Sequence, residues 1–413
     1  MNIELGTPVG AAENERFSAV VQRNAGVTIV ALATLPTLAI AALVPVLPRL
    51  FERFHDEPRA QWLVPMILTI PSLCIAIFSS PVGTIVDRWG RRRVLLPALV
   101  AFATFGLAPF LVDSLYAILA TRFVVGLAES AIITVGNSLL GDYYDEQERR
   151  IWLGRQTIVG PLAAFVYVFL GGVLGSASWR APFLLYLAGF VLLVPSIWTL
   201  PEPPRAPVER LGQSLATFPW AIAAQVGGVT VLVSIIFFVQ GVQHGRIFSD
   251  LGAPDPTHIS WAINAAGTGS VLAGLIYRYL PPRRVTTYLA IIFAVFGAGY
   301  LGLAAVSNYL VAIPFDFLGQ IGCGLSIPVL VGWTLRSFPL EHRGQAMGVW
   351  AACFFAGEFA SPPALTLIAH NRWSFLHAVG VLGAVCLVFA AVSLAVGRRE
   401  HPGTSAGVPA PGH

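Results

Sequence analysis

Twelve apolar runs, each about 20 residues or longer, constrain this chain more than any other feature. They cover 26–48, 61–85, 94–112, 115–141, 154–175, 181–200, 219–244, 257–280, 286–306, 309–338, 343–370 and 374–396. A helix needs about 20 apolar residues to cross a bilayer. The runs are long and do not alternate, so they predict helices rather than the strands of a barrel. Of the 413 residues, 56% are hydrophobic and 11% charged, with a mean hydropathy of +0.73. A soluble domain carries about 25% charged residues. This composition excludes a soluble enzyme, a nucleic-acid binder and a disordered chain. The expected fold class is an all-α membrane protein with twelve transmembrane helices.

Every one of the 25 basic residues is arginine, and the formal net charge is +4. Placing the N-terminus in the cytoplasm puts three arginines in cytoplasmic segments for each one in an outer loop. The positive-inside rule then sets both termini inside. Residues 1–25 are polar and lack a signal-peptide core, so they are expected to form a cytoplasmic segment. Two six-helix halves follow, 26–200 and 219–396. A proline-rich cytoplasmic linker at 201–218 separates them, and a Pro/Gly-rich tail at 397–413 is expected to be disordered. Cys74, Cys323, Cys353 and Cys386 sit in apolar runs without metal or redox spacing, which suits small buried hydrophobes. No metal and no cofactor are expected.

The halves echo each other. At an offset of 193, Ser114, Tyr116, Gly126, Glu148 and Arg150 align with Ser307, Tyr309, Gly319, Glu341 and Arg343. At 191, Gly83, Arg92, Arg93 and Val94 align with Gly274, Arg283, Arg284 and Val285. Parallel repeats with a site between them near midplane are a transporter architecture.

The loop between spans 2 and 3 reads Gly83-Thr-Ile-Val-Asp87-Arg88-Trp-Gly90-Arg91-Arg92-Arg93. Gly83 permits close helix approach and Gly90 a positive φ. Asp87 has two local options, pairing with an arginine or capping a helix. The segment resembles the signature loop of the major facilitator superfamily, G-x-x-x-D-R-x-G-R-R, at that family's position. The resemblance covers essentially the whole chain. It implies that Asp87 contacts the start of span 11, and that a loop arginine (Arg88, Arg91 or Arg92) meets Asp142 at the end of span 4. In the second half Arg278 and Pro281 replace the acid and glycine, which leaves the main latch in the first half.

Charges inside a span are costly and mark pathways or relays by default. Arg122 and Glu129 lie seven residues apart, on one face of span 4. Arg122 resembles the family's span-4 arginine, which exporters use in proton coupling. A static Arg–Glu pair is the plainer alternative. Asp316 in span 10 and Glu358 in span 11 complete the proton-coupling candidates. The glycine and prolines around Glu358 predict a broken helix there. Gly160-Pro161 predicts a kink in span 5 and partly resembles the family's antiporter motif. Pro45 and Pro48 resemble the proline-rich span-1 exit of drug exporters. Gln240, Asn264, Trp261, Gln320, Trp333 and Phe355 are candidates to line a mostly apolar substrate cavity. His244 is expected near the outer edge.

Without lysine there is no Walker-type nucleotide loop. The expected function is therefore secondary transport: proton-coupled antiport exporting a small organic or amphiphilic molecule from a bacterium across the inner membrane. Its partners are a small-molecule substrate, protons and the bilayer, with a monomer as the expected state. Proton symport or facilitated uptake on the same fold is the alternative. A receptor without transport is a third possibility that would need a soluble domain.

Overall fold

In a membrane, a backbone that leaves N–H or C=O groups unpaired pays several kcal/mol for each, so long helices are forced on the apolar runs. The computed structural model describes residues 23–203, 217–281, 283–369 and 374–399. Nearly all of the expected N-terminal segment, most of the linker and most of the tail lie outside these residues. Twelve helices long and apolar enough to cross a membrane are present. They are α1 (Arg23–Arg53), α2 (Ala60–Trp89), α3 (Arg91–Phe110), α4 (Leu115–Tyr143), α5 (Glu146–Ala177), α6 (Ala181–Thr199), α7 (Trp220–Asp250), α8 (Pro256–Tyr277), α9 (Val285–Ala305), α10 (Tyr309–Ser337), α11 (Leu340–Ile368) and α12 (Phe375–Arg398).

Several helices outrun their apolar cores because polar caps extend them. Asp145 accepts a bond from Glu148 N at 2.8 Å and starts α5 eight residues before its apolar run. Asp255 and Asn308 cap α8 and α10 in the same way, with bonds of 3.0 Å from His258 N and 2.8 Å from Leu310 N. An N-cap side chain supplies the acceptor that the first turn lacks. Burial would raise the Asp255 carboxyl, but the backbone N–H and imidazole of His258 outweigh it and hold the group below the usual carboxylate range.

One proline expectation resolves differently. α11 is continuous through Pro362 and Pro363, so the expected break at Glu358 is absent. Proline removes amide donors, but packing against α2 and α7 holds the helix in one piece. α5 likewise runs unbroken through Pro161. α1 tightens to 3-10 geometry at Val44–Val46, around Pro45, and α6 begins with a 3-10 stretch at Ala181–Leu187.

The first six helices pack as one half and the last six as another. The halves meet along two seams, α2 against α11 and α5 against α8. Between α2 and α3, Gly90 adopts φ +103°. A Cβ there would also collide with Glu202, which follows α6. Gly90→Ala is therefore expected to cost about 1 kcal/mol in backbone strain alone and to displace Glu202. A lowered unfolding temperature of the purified protein checks this.

Candidate functional site

Glu129 stands at the centre of α4, fourteen residues from either end. Glu358 stands on α11 in the other half. Both side chains are 1% exposed. Glu358 and Arg122 are the charged groups that act on Glu129 across this space. Glu129 Oε1 and both Glu358 oxygens have no hydrogen-bond partner among the described residues. Ser72 of α2 lies beside the Glu358 carboxyl, outside direct bonding geometry. Two buried carboxyl groups, one from each half, thus act on each other electrostatically across the interface between the halves. A buried carboxylate without hydrogen-bond donors is costly, so each position is an expensive place to hold a charge.

Arg122 does not form an ion pair with Glu129 among the described residues. It is fully buried and turned toward the end of α3, where Nη2 donates to Phe105 O at 2.8 Å and Gly106 O at 3.2 Å. Its guanidinium lies 5.3 Å from the Phe183 ring and 4.9 Å from the Tyr186 ring. Carbonyl oxygens and aromatic faces compete for the cation. The seven-residue spacing aligns the two side chains without joining them.

Asp316 forms a second buried acidic site. Its Oδ1 accepts from Gln240 Nε2 at 3.0 Å and lies 2.9 Å from His244 Nε2, while Oδ2 has no partner. Cys323 Sγ donates to Gln240 Oε1 at 3.2 Å. Gln240 and His244 are therefore sealed inside the C-terminal half. Gln240 does not line a cavity, and His244, six residues from the end of α7 away from the arginine loop, is buried there. The carboxylate draws both inward because a buried acid needs donors.

The remaining cavity candidates lie at or near the α5–α8 seam and the mouth between the halves. Asn264 Nδ2 donates to Phe165 O at 3.0 Å, joining the halves one turn beyond Pro161. Trp261 meets Phe169 edge to face at 5.3 Å and is 61% exposed. Gln320, Trp333 and Phe355 are half-buried. Two residues without a place among the sequence candidates join them. Trp350 stacks on Phe354 at 5.3 Å, and Phe354 packs on Phe237 and Phe238 at 5.5 and 5.2 Å. Trp350, Phe354 and Glu358 recur at intervals of four, so an aromatic wall runs along one face of α11 to the carboxyl. That spacing was the available signal.

The arginine loop binds the N-terminal half to itself. Asp87 pairs with Arg91 at 3.2 Å, and Arg91 Nε meets Asp142 Oδ2 at 2.9 Å. Glu202 accepts from Arg91 N at 2.6 Å and Arg92 N at 2.9 Å, capping α3 at the positive end of its dipole. Arg92 Nη2 donates to Ile197 O at 2.9 Å. Arg88 is exposed. No hydrogen bond or ion pair joins Asp87 to α11 among the described residues.

The two sides of the molecule differ. On the side away from the arginine loop, the halves close. Ser176 bonds Thr257 at 2.8 Å, and Arg246 lies between Phe51 at 5.0 Å and Phe375 at 4.0 Å. Gly172 sits against Ser260, and Gly245 against the Val44 carbonyl, so closely that a Cβ would collide at either place. On the loop side, Gly154, Gly160, Gly274, Gly344 and Gly348 face open space. The halves thus touch on the side away from the arginine loop, while these glycines of α5, α8 and α11 on the loop side have room for a side chain.

The model of the Major Facilitator Superfamily matches residues 29–249 and 229–412. The chain belongs to the major facilitator superfamily. As a superfamily member it is a membrane transporter rather than an enzyme. A class C tetracycline resistance protein of Escherichia coli is 26% identical over 396 residues, covering 88% of this chain and 96% of its own length. A bacillibactin exporter of Bacillus subtilis is 22% identical over 388 residues, covering 87% and 93%. Among solved structures, a bacterial homologue of the human lysosomal transporter Spinster, inward-facing and occupied, superposes with a TM-score of 0.71. The identity is 14%, covering 91% of this chain and 96% of that one.

Proposed function

We propose that the protein is a proton-coupled antiporter that exports a small amphiphilic organic molecule across the bacterial inner membrane by alternating access. The arginine bias places the loop side in the cytoplasm and the halves touch on the opposite side, so we read this state as inward-facing. The observation that carries the reading is the Glu129–Glu358 pair: two buried acids, one from each half, with unsatisfied oxygens. Ionised together, the carboxylates repel across the seam. Protonated, they let it close. Rocking of the halves would expose the pair to each side in turn, so protons taken up outside are released inside as substrate enters. Half-buried Trp350 and Phe355 of α11, backed by buried Phe354, supply an apolar surface for that substrate. Relatives named for tetracycline resistance and bacillibactin export support efflux.

The test is proton flux in proteoliposomes with an acid interior, challenged with tetracyclines, chelators and organic acids. Substrate-triggered loss of the gradient that is absent in Glu129→Gln supports antiport. Substrate flux without proton movement overturns it in favour of facilitated transport. We also propose that Asp87 leaves Arg91 and latches onto α11 when the cytoplasmic side closes. Asp87→Asn is then expected to lose at least nine-tenths of transport at unchanged expression, and normal transport by this variant would reject the latch.

A further inference from the structure

The α2–α11 seam carries more unsatisfied polar groups than the two carboxyls. Ser72 lies beside Glu358. Successive spans alternate in direction, so α2 and α11 run antiparallel, and one turn outward brings Thr69 level with Ser361. Both hydroxyls are 0% exposed, and neither has a hydrogen-bond partner. Among the described residues Thr230 of α7 and Thr286 of α9 share this lack of a partner, whereas other buried hydroxyls do not. Ser326 and Thr334, buried in α10, bond back to the carbonyls of Gly322 and Leu330 at 2.7 and 2.8 Å, the ordinary outlet for a helical hydroxyl. The backbone adds acceptors at the same level. Pro362 has no N–H to give the Glu358 carbonyl, and Pro71 has none for that of Ile67. One further turn outward, Pro65 and Leu365 are buried and apolar.

Buried polar atoms of this number are normally satisfied, and ordered water is the usual remaining partner. We propose that the α2–α11 seam is a water-holding site built by Thr69, Ser72, Ser361 and Glu358, and that it is the route by which protons reach Glu358 from the outer face. In the inward-facing state Pro65 and Leu365 plug it against leakage. When the halves rock, the plug parts and the water connects Glu358 to the outside. The proposal rests on the proton-coupled reading and assigns its outer access path. Titratable groups on the surrounding helices include Glu129 of α4, Cys74 of α2, Cys353 of α11, His244 of α7 bound to Asp316 of α10, Cys323 of α10 and Cys386 of α12. From the N-terminal half, Glu129 is coupled electrostatically to Glu358.

The experiment is infrared difference spectroscopy on the reconstituted protein, with the proton and isotopic water as the probes. Acid-minus-alkaline spectra should contain a carboxyl band that vanishes in Glu358→Gln. They should also contain an internal-water band that shifts in oxygen-18 water. The Thr69→Val/Ser361→Ala double variant keeps the side-chain shape. It should lose the water band and slow deuteration of the Glu358 carboxyl at least tenfold, at unchanged melting temperature. Thr69→Ser, which restores a hydroxyl, should behave as the parent. A double variant with the parent's water band and exchange rate overturns the seam, as does a parent with no internal-water band. Absence of any band lost in Glu358→Gln is a distinct result. It would show that Glu358 does not titrate, and would overturn the proton-coupled reading at this residue and the route with it.

Discussion

Glu129→Gln and Glu358→Gln are each expected to reduce proton-driven transport at least a hundredfold while leaving the protein folded. Glutamine keeps the size and the hydrogen-bonding ability of a protonated carboxyl and removes only the titration. Both positions are buried, and Glu358 lacks even one hydrogen-bond partner. Removing a potential buried charge relieves the desolvation cost that an ion would pay there, so the melting temperature should hold or rise. Exchange of labelled for unlabelled substrate at equal pH, which needs no net proton movement, should survive in at least one of the two variants. The measurements are sided flux in proteoliposomes and thermal denaturation of the same preparations. A fall in stability matching the fall in flux would instead make the acids structural.

Gly245→Leu is expected to abolish transport by a different route. The Gly245 position abuts the Val44 carbonyl, and nothing wider than hydrogen fits between α7 and α1 in this state. Backbone cannot yield as a flexible side chain can, so the far side should fail to close. The variant should rest outward-facing. Cysteines introduced near Ser176 and Thr257 should then react with impermeant reagents added outside, where the parent protects them. Gly160→Leu makes the contrast, because Gly160 has no neighbour within 4 Å in this state. It should leave the inward-facing state intact and hinder only closure of the loop side.

Much of this protein was legible in its sequence, for reasons that are local. Span number and approximate depth follow from hydrocarbon thickness and backbone hydrogen bonding alone. The twelve apolar runs therefore coincide with twelve helices, and Asp145 and Asn308 mark starts that hydropathy blurs. The signature loop and the buried acids could be named because charge in an apolar segment is rare and costly. What a side chain does once it is buried depends on neighbours distant in sequence, and only tertiary structure decided that. Arg122 lies two turns from Glu129 on one helix, yet the carbonyls of Phe105 and Gly106 and two aromatic rings take it away. Gln240 looked like a cavity residue, but Asp316, 76 residues further on, holds it inside the half. Glu202 was an ordinary acid beyond a span until folding set it on the amides of Arg91 and Arg92. The same holds for the central pair. Glu129 and Glu358 are separated by more than half the chain, and no periodicity links them. Packing of one half against the other brought two buried acids, isolated in sequence, within electrostatic reach.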